Sequence, residues 1–167
     1  MTQLHAVDLR ILSELQMDGS LSNVELARRV HLSPSPCLAR VRSLETRGVI
    51  RQYVALLDAG RLGLHLNVFI SISLKQQTSG ALGDFEQLVC MHDEVMECYL
   101  MTGDADYLIR VAVADIAALE RFIVERLSPL AQVEKIRSSF ALKQIRYKTG
   151  LPLNQARRSG TTVPPSR

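Results

Sequence analysis

The stretch from Leu66 to Leu74 constrains this chain more than any other. Leu66, Val68, Ile70, Ile72 and Leu74 alternate with Asn67, Phe69, Ser71 and Ser73. Successive side chains of a strand point to opposite faces, so this period of two predicts a half-buried strand. A sheet built on it needs cover on one side only. The residues that follow supply that cover. After the polar, small-residue stretch 76–83, Leu82, Phe85, Leu88 and Val89 recur at helical spacing. Val95 to Thr102 and Tyr107 to Val113 read as strands around a tight turn, Gly103-Asp104-Ala105-Asp106. Asp115 is a good cap for a helix with Ile116, Leu119, Phe122, Ile123 and Leu127 on one face, and Lys135 to Tyr147 reads as a last strand. The order is β-α-β-β-α-β, the ferredoxin-like arrangement, over residues 66–150.

The preceding residues follow a different period. Ile11, Leu12 and Leu15 mark one face of a first helix, with Asp8 in its first turn and Asp18-Gly19 at its end. Ser22-Asn23-Val24-Glu25 has the form of a capping box and opens a second helix with Leu26, Ala27 and Val30 inward. Ser33 can cap a third, whose first turn accepts Pro34 and Pro36 because its N–H groups lack helical partners anyway. Cys37, Val41 and Leu44 face inward, and Gly48 stops this helix after about Arg47. Val49 to Leu57 is strand-like, and Asp58 to Gly63 reads as a hinge. The expected architecture is α+β: a helix-turn-helix, winged-helix-like domain over 1–50, a linking strand and hinge over 51–65, and the ferredoxin-like domain over 66–150. Residues 151–167 are expected to form a mostly flexible basic tail, mobile from 154 onward.

Two helices joined by a short turn, the second rich in arginine, form a DNA-reading pattern. Ala27 is small enough for a close helix crossing. The third helix then presents Ser35, Ala39, Arg42 and Ser43 to a groove, with Arg40 at the edge and Ser33 at its head. Arg40 or Arg42 can pair with guanine O6 and N7, while Arg28, Arg29 and Arg47 are placed for phosphates. Charge is segregated accordingly. Residues 28–51 hold six arginines against Glu45, residues 76–109 hold seven acids and no Lys or Arg, and the excess behind the net +3 lies in Arg157, Arg158 and Arg167. A solvated arginine face on a helical hairpin gives the same pattern.

The motifs Ser22-Asn23-x-Glu25-Leu26-Ala27, Leu32-Ser33-Pro34-Ser35-Pro36-Cys37-Leu38-x-Arg40-Val41-x-x-Leu44-Glu45 and Gly48-Val49-Ile50 strongly resemble the Lrp/AsnC family of prokaryotic "feast/famine" regulators. The second domain carries a further mark of that family, Glu97-Cys98-Tyr99-x-x-Thr102-Gly103-Asp104-x-Asp106-Tyr107-Leu108. Ser138-Ser139-Phe140-Ala141-Leu142-Lys143 and Leu151-Pro152-Leu153 are similar as well, so the resemblance spans about residues 4 to 153. It implies a DNA-binding domain and a domain that senses a small effector, most often an amino acid, and drives assembly into homodimers that commonly associate further, often to octamers. Carried over, the effector site comprises Thr102, Gly103, Asp104 and Asp106, with Leu100, Met101 and Tyr107 flanking and Ser139 towards the effector's side chain. The two aspartates flank Ala105, so Asp104 is expected to face the effector's ammonium and Asp106 to cap the turn. His31 departs from the family, which usually has Gly in the turn between the two helices. Positive φ is expected there, and His tolerates it better than most residues.

The expected partners are double-stranded DNA, a small amino-acid effector and further copies of the chain. The expected place is a reducing cytoplasm, since three cysteines are an odd number and no apolar run reaches membrane-spanning length. No cofactor, metal or catalytic residue is expected: Cys90-x-His92 with Cys98 matches no paired-ligand spacing, and no Gly-rich phosphate loop occurs. Two other readings of these residues are an architectural DNA-wrapping protein with little effector response and a small-molecule-binding or enzymatic ferredoxin-like protein.

Overall fold

The computed structural model describes residues 4–153, so the tail from 154 onward, expected to be mobile, lies outside the described residues. The chain divides into two compact units. One is residues 57–145; the other joins residues 4–56 with residues 146–153.

The helical unit is built from α1 (Ala6–Met17), α2 (Asn23–Arg29) and α3 (Pro34–Thr46). Ile11, Leu12, Leu26, Ala27, Val30, Cys37 and Leu44 form its core, with Val41, Val49, Ile50 and Leu153 packed against them. The Ser22 hydroxyl accepts the Glu25 N–H, as the capping-box spacing requires. Asn23 Nδ2 donates to the Pro34 carbonyl at 2.8 Å and so ties the start of α2 to the start of α3. Gly48 has φ +68 at the end of α3, and the Val49 and Ile50 N–H groups both donate to the Leu44 carbonyl. His31 has φ +58 and is the single non-glycine residue with positive φ among those described. The turn between α2 and α3 thus takes the conformation expected of it.

The second unit is a four-stranded antiparallel sheet in the order β2-β3-β1-β4. Its strands are β1 (Leu66–Leu74), β2 (Val95–Leu100), β3 (Tyr107–Val113) and β4 (Val133–Phe140). Helices α4 (Ser79–Cys90) and α5 (Ile116–Arg121) cover one face, and α5 runs on into a π-helical stretch, Phe122–Leu127. Val68, Ile70, Ile72, Leu74, Tyr107, Ile109, Val111 and Val113 meet Phe85, Val89, Leu119, Phe122 and Leu127 in one core. Every second residue of β1 and β3 is buried, as the alternation requires. The Asp115 carboxylate accepts the Ala118 N–H at 2.7 Å, so the expected cap is made.

Several expectations need correction. The linking segment is no strand: residues 51–57 have no ladder partner among the described residues, and a strand exists only where a neighbour takes its hydrogen bonds. Tyr53 is instead held to the end of α3, its hydroxyl donating to Glu45 Oε1 at 3.0 Å. The hinge contains a turn of 3-10 helix, Gly60–Leu62. The last strand ends at Phe140 rather than Tyr147. Its neighbour β1 starts at Leu66, and the Ala141 N–H to the Asn67 carbonyl is the last bond available to it. Ile116 is exposed rather than turned to the core. Residues 146–153, expected to belong partly to the sensing domain and partly to the free tail, pack with the helical unit. There the Gln16 side chain accepts the Leu151 N–H at 2.6 Å and donates to the Leu151 carbonyl at 3.4 Å.

The left-handed backbone at His31 costs an L-residue with a side chain about 1–2 kcal/mol. His31→Gly removes that strain, while glycine's greater freedom in the unfolded chain returns part of it. Thermal and urea denaturation followed by circular dichroism are expected to show a gain of up to about 1 kcal/mol for His31→Gly. His31→Val is expected to lose at least as much, because a β-branched side chain is poorly tolerated there.

Candidate functional site

Helix α3 offers solvent one continuous face. Ser35, Ala39, Arg42 and Ser43 are all exposed along it, and Ser33 at its head is exposed with no helix-capping bond on its side chain. Cys37 and Leu44, on the opposite face, are completely buried. The structure therefore brings the expected reading residues together on one surface. It distributes the arginines unequally.

Arg40 Nη1 donates to Asp8 Oδ1 at 2.9 Å. The other oxygen of that carboxylate accepts the His5 N–H at the head of α1, also at 2.9 Å. Asp8 is 3% exposed and is the one buried charged residue among those described. A buried carboxylate needs partners for both oxygens, and Arg40 is one of them. Arg40 thus holds α3 against α1, whereas the sequence places it at the groove edge. Arg28 and Arg29 both donate to Glu25, at 2.7 and 2.9 Å, and Arg29 also reaches Glu14 at 3.3 Å. These hydrogen bonds hold the Glu25 carboxyl well below the usual range, at about 2. Arg47 stands exposed at the C-cap of α3. Arg42 is exposed and, among the described residues, makes no ion pair or hydrogen bond with another side chain.

In the second unit, β2 and β3 are closed by the Met101 N–H donating to the Asp106 carbonyl at 2.8 Å. Gly103 has φ +130, which glycine alone adopts at little cost, and the three residues Thr102, Gly103 and Asp104 are exposed. The two aspartates differ sharply. Asp106 Oδ2 accepts the Leu74 N–H at 2.7 Å and Oδ1 accepts the Gln77 side-chain amide at 2.6 Å. Its carboxylate fastens the turn to the end of β1. The Asp104 carboxylate makes no such bond among the described residues, although its backbone carbonyl accepts the Ser73 hydroxyl at 3.4 Å. Leu100 and Met101 are exposed beside it.

Two expected members of this site lie elsewhere. Tyr107 is 1% exposed. Its ring packs on Phe85 and its hydroxyl donates to Glu86 Oε1 at 2.8 Å, so it belongs to the core under α4. Ser139 sits opposite Phe69 on β4, the far edge strand from β2. That is three residues along the sheet from the level of the turn, about 10 Å, so one protomer does not bring it there. Gln77 was not anticipated: nothing in the polar 76–83 stretch distinguishes the residue that reaches Asp106. Among the described residues, no group of three His, Cys, Asp or Glu gathers to hold a metal, and no helix is long and apolar enough to cross a membrane.

A helix-turn-helix with an exposed third helix, joined to a sheet with a projecting polar turn, is the build of a one-chain DNA-binding regulator. Comparison with known proteins agrees. Residues 4–51 match the winged helix-turn-helix DNA-binding model, and residues 67–151 match the Lrp/AsnC ligand binding domain. The Bkd operon transcriptional regulator of Pseudomonas aeruginosa is 44% identical, over 92% of this chain and 100% of its own length. The leucine-responsive regulatory protein of Escherichia coli K12 is 40% identical, over 89% of this chain and 90% of its own. A transcriptional regulator of Neisseria meningitidis solved as its L-Met complex superposes with a TM-score of 0.88 at 42% identity, covering 92% of this chain and 99% of that one. The chain belongs to the Lrp/AsnC family: it is a transcriptional regulator with a winged helix-turn-helix and a ligand-binding domain, and not an enzyme.

Arg40→Ala leaves the Asp8 carboxylate buried with one partner fewer. It is expected to cost about 1–3 kcal/mol in urea denaturation. Arg42→Ala, which removes no internal bond, is expected to stay within about 0.5 kcal/mol of the parent. Equal stability losses in the two variants would show that the Asp8 bond does not organise the unit.

Proposed function

We propose that this regulator acts in the cytoplasm, reads specific DNA through α3 with Arg42 as the base-contacting arginine, and senses an amino acid at the β2–β3 turn. The observation that carries the reading is the division of charge. Arg28, Arg29 and Arg40 are already engaged by Glu25, Glu14 and Asp8, while Arg42 is exposed in the middle of the reading face. An unengaged guanidinium costs nothing to redirect and matches guanine O6 and N7 bidentately. Arg28, Arg29 and Arg47, with the hydroxyls of Ser33, Ser35 and Ser43 and the small Ala39, then serve position and fit.

The same logic selects Asp104 for the effector. Asp106 spends both oxygens on the fold, whereas Asp104 projects from the glycine turn. Its carboxylate suits an α-ammonium, the turn's N–H groups suit an α-carboxylate, and the exposed Leu100 and Met101 suit an apolar side chain. That a similar regulator was solved with L-Met supports an amino acid as the class. The uncovered sheet face supports pairing with a second copy. Phe69, Leu108 and Tyr99 lie on the side opposite α4 and α5, beside the Arg110–Glu97 ion pair. Such a pair presents two reading helices to a pseudo-palindromic site, and the pairs associate further, to an octamer.

Arg42→Ala is expected to weaken binding to the chain's own upstream DNA about ten- to hundred-fold at fixed salt, as one base contact is worth ~1–3 kcal/mol. Arg28→Ala weakens specific and competitor DNA alike, and the free protein sediments as a dimer or a larger even assembly. Unchanged operator affinity in Arg42→Ala removes α3 as the reader, and a strict monomer removes the pairing. Calorimetric titration of an amino-acid panel tests the sensor. Asp104→Asn is expected to cost the effector ten- to over a hundred-fold in affinity, the worth of one charged hydrogen bond, with effector-free DNA binding unchanged. An effector that binds Asp104→Asn as tightly as the parent places the site elsewhere.

A further inference from the structure

Two of the three cysteines meet under the C-terminal end of α4. Glu86 and Cys90 are four residues apart on that helix and therefore share a face. Glu86 is anchored above Tyr107 of β3 by the 2.8 Å hydrogen bond from the tyrosine hydroxyl. One helical turn onward, about 5.4 Å, brings Cys90 over the next core position of β3, about 6.6 Å along the strand. That position is Ile109, and the residue paired with Ile109 across the ladder is Cys98 of β2. Cys98 packs against the core on this same face and is half-buried, whereas Cys90 is exposed. Burial pushes the Cys98 thiol up to about 12, with the neighbouring Cys90 thiol and Glu86 adding to the shift. The third thiol, Cys37, is fully buried in the other unit.

We propose that Cys90 and Cys98 form an oxidation site, a dithiol that peroxide converts to an intramolecular disulfide between α4 and β2. The exposed thiol reacts first. The Cys90 thiolate attacks one oxygen of hydrogen peroxide, the O–O bond breaks, and the departing hydroxide takes a proton to become water. Cys90 is then a sulfenic acid. The Cys98 sulfur attacks the Cys90 sulfur, the S–O bond breaks, and the leaving hydroxide carries off the Cys98 proton as a second water. The two thiols lose two electrons and two protons, and one peroxide is reduced to two waters. Cys98 is suited to the second role only: a thiol kept protonated by burial is a poor starting nucleophile. The bond closes the short loop 90–98 and fixes the edge strand β2 to α4, directly before the exposed turn at Thr102–Asp104.

The test is graded hydrogen peroxide on the reduced full-length protein, followed by alkylation, unfolding, a second alkylation with a different label and peptide mapping by mass spectrometry. Cys90 and Cys98 are expected to become unreactive together, in a linked peptide lighter by two hydrogen atoms, while Cys37 takes label after unfolding. Cys98→Ser is expected to stop at the sulfenic acid, trapped on Cys90 by dimedone. Cys90→Ser is expected to leave Cys98 reduced. A parent protein whose Cys90 is captured by dimedone as fully as in Cys98→Ser, or which links Cys90 only between chains, overturns the proposal. So does one that leaves both thiols reduced.

Discussion

Burial of a single face of β1 is the constraint on which the sensing unit rests. This strand lies between β3 and β4 in the sheet, and its even-numbered side chains from Val68 to Leu74 are sealed under α4 and α5. Because the period is two, the other face is determined at the same time, and it carries Asn67, Phe69, Ser71 and Ser73. The helices of this unit all lie on one side of the sheet and leave the other side without their cover. The end of β1 also holds the turn in place: the Leu74 N–H and the Ile72 carbonyl grip Asp106 by its carboxylate and its backbone N–H. The strand that builds the core thereby aims the turn.

The helical unit depends on charge in a way that the sheet does not. Its acids are spent internally, Asp8 on Arg40 and Glu25 on Arg28 and Arg29. Surface pairs such as those of Glu25 contribute little to stability, but they fix where guanidinium groups sit before any ligand arrives. The Asp8 bond is different in kind, because its carboxylate is withdrawn from water and aligns the start of α1 with the middle of α3. An exposed pair of the first kind exchanges readily for another anion, and the buried one does not.

How much of this was legible in the sequence depends on the range of the interaction. β1 and β3 end where the alternation ends, and Ser22, Asp115 and Gly48 act as the caps and stop that their types announce, since each answers to its immediate neighbours. His31 was legible too, through the geometry that its turn demands. The failures are non-local. The 51–57 segment has the composition of a strand but has no ladder partner among the described residues, and β4 stops where β1 stops offering bonds. Arg40 reads as a groove residue until the buried carboxylate 32 positions earlier is seen to claim it. Tyr107, placed beside the turn by its position in the chain, is turned to the opposite side by the pleat. The exposed face of α3, the turn at Gly103 and a division of roles between Asp104 and Asp106 are legible in the sequence; which arginines are already occupied is not.

The discontinuity of the helical unit bears on how the molecule is made. Its three helices are synthesised before the sheet, but Leu151, bonded to Gln16, and Leu153, packed against the core, are synthesised after it. The whole sensing unit is translated in between. A nascent chain therefore carries a third helix whose support is incomplete until the sheet has been made and the chain has passed residue 153. A product cut short after the sheet lacks the segment that packs on α1, so loss of residues 146–153 is registered in the stability of the helical unit.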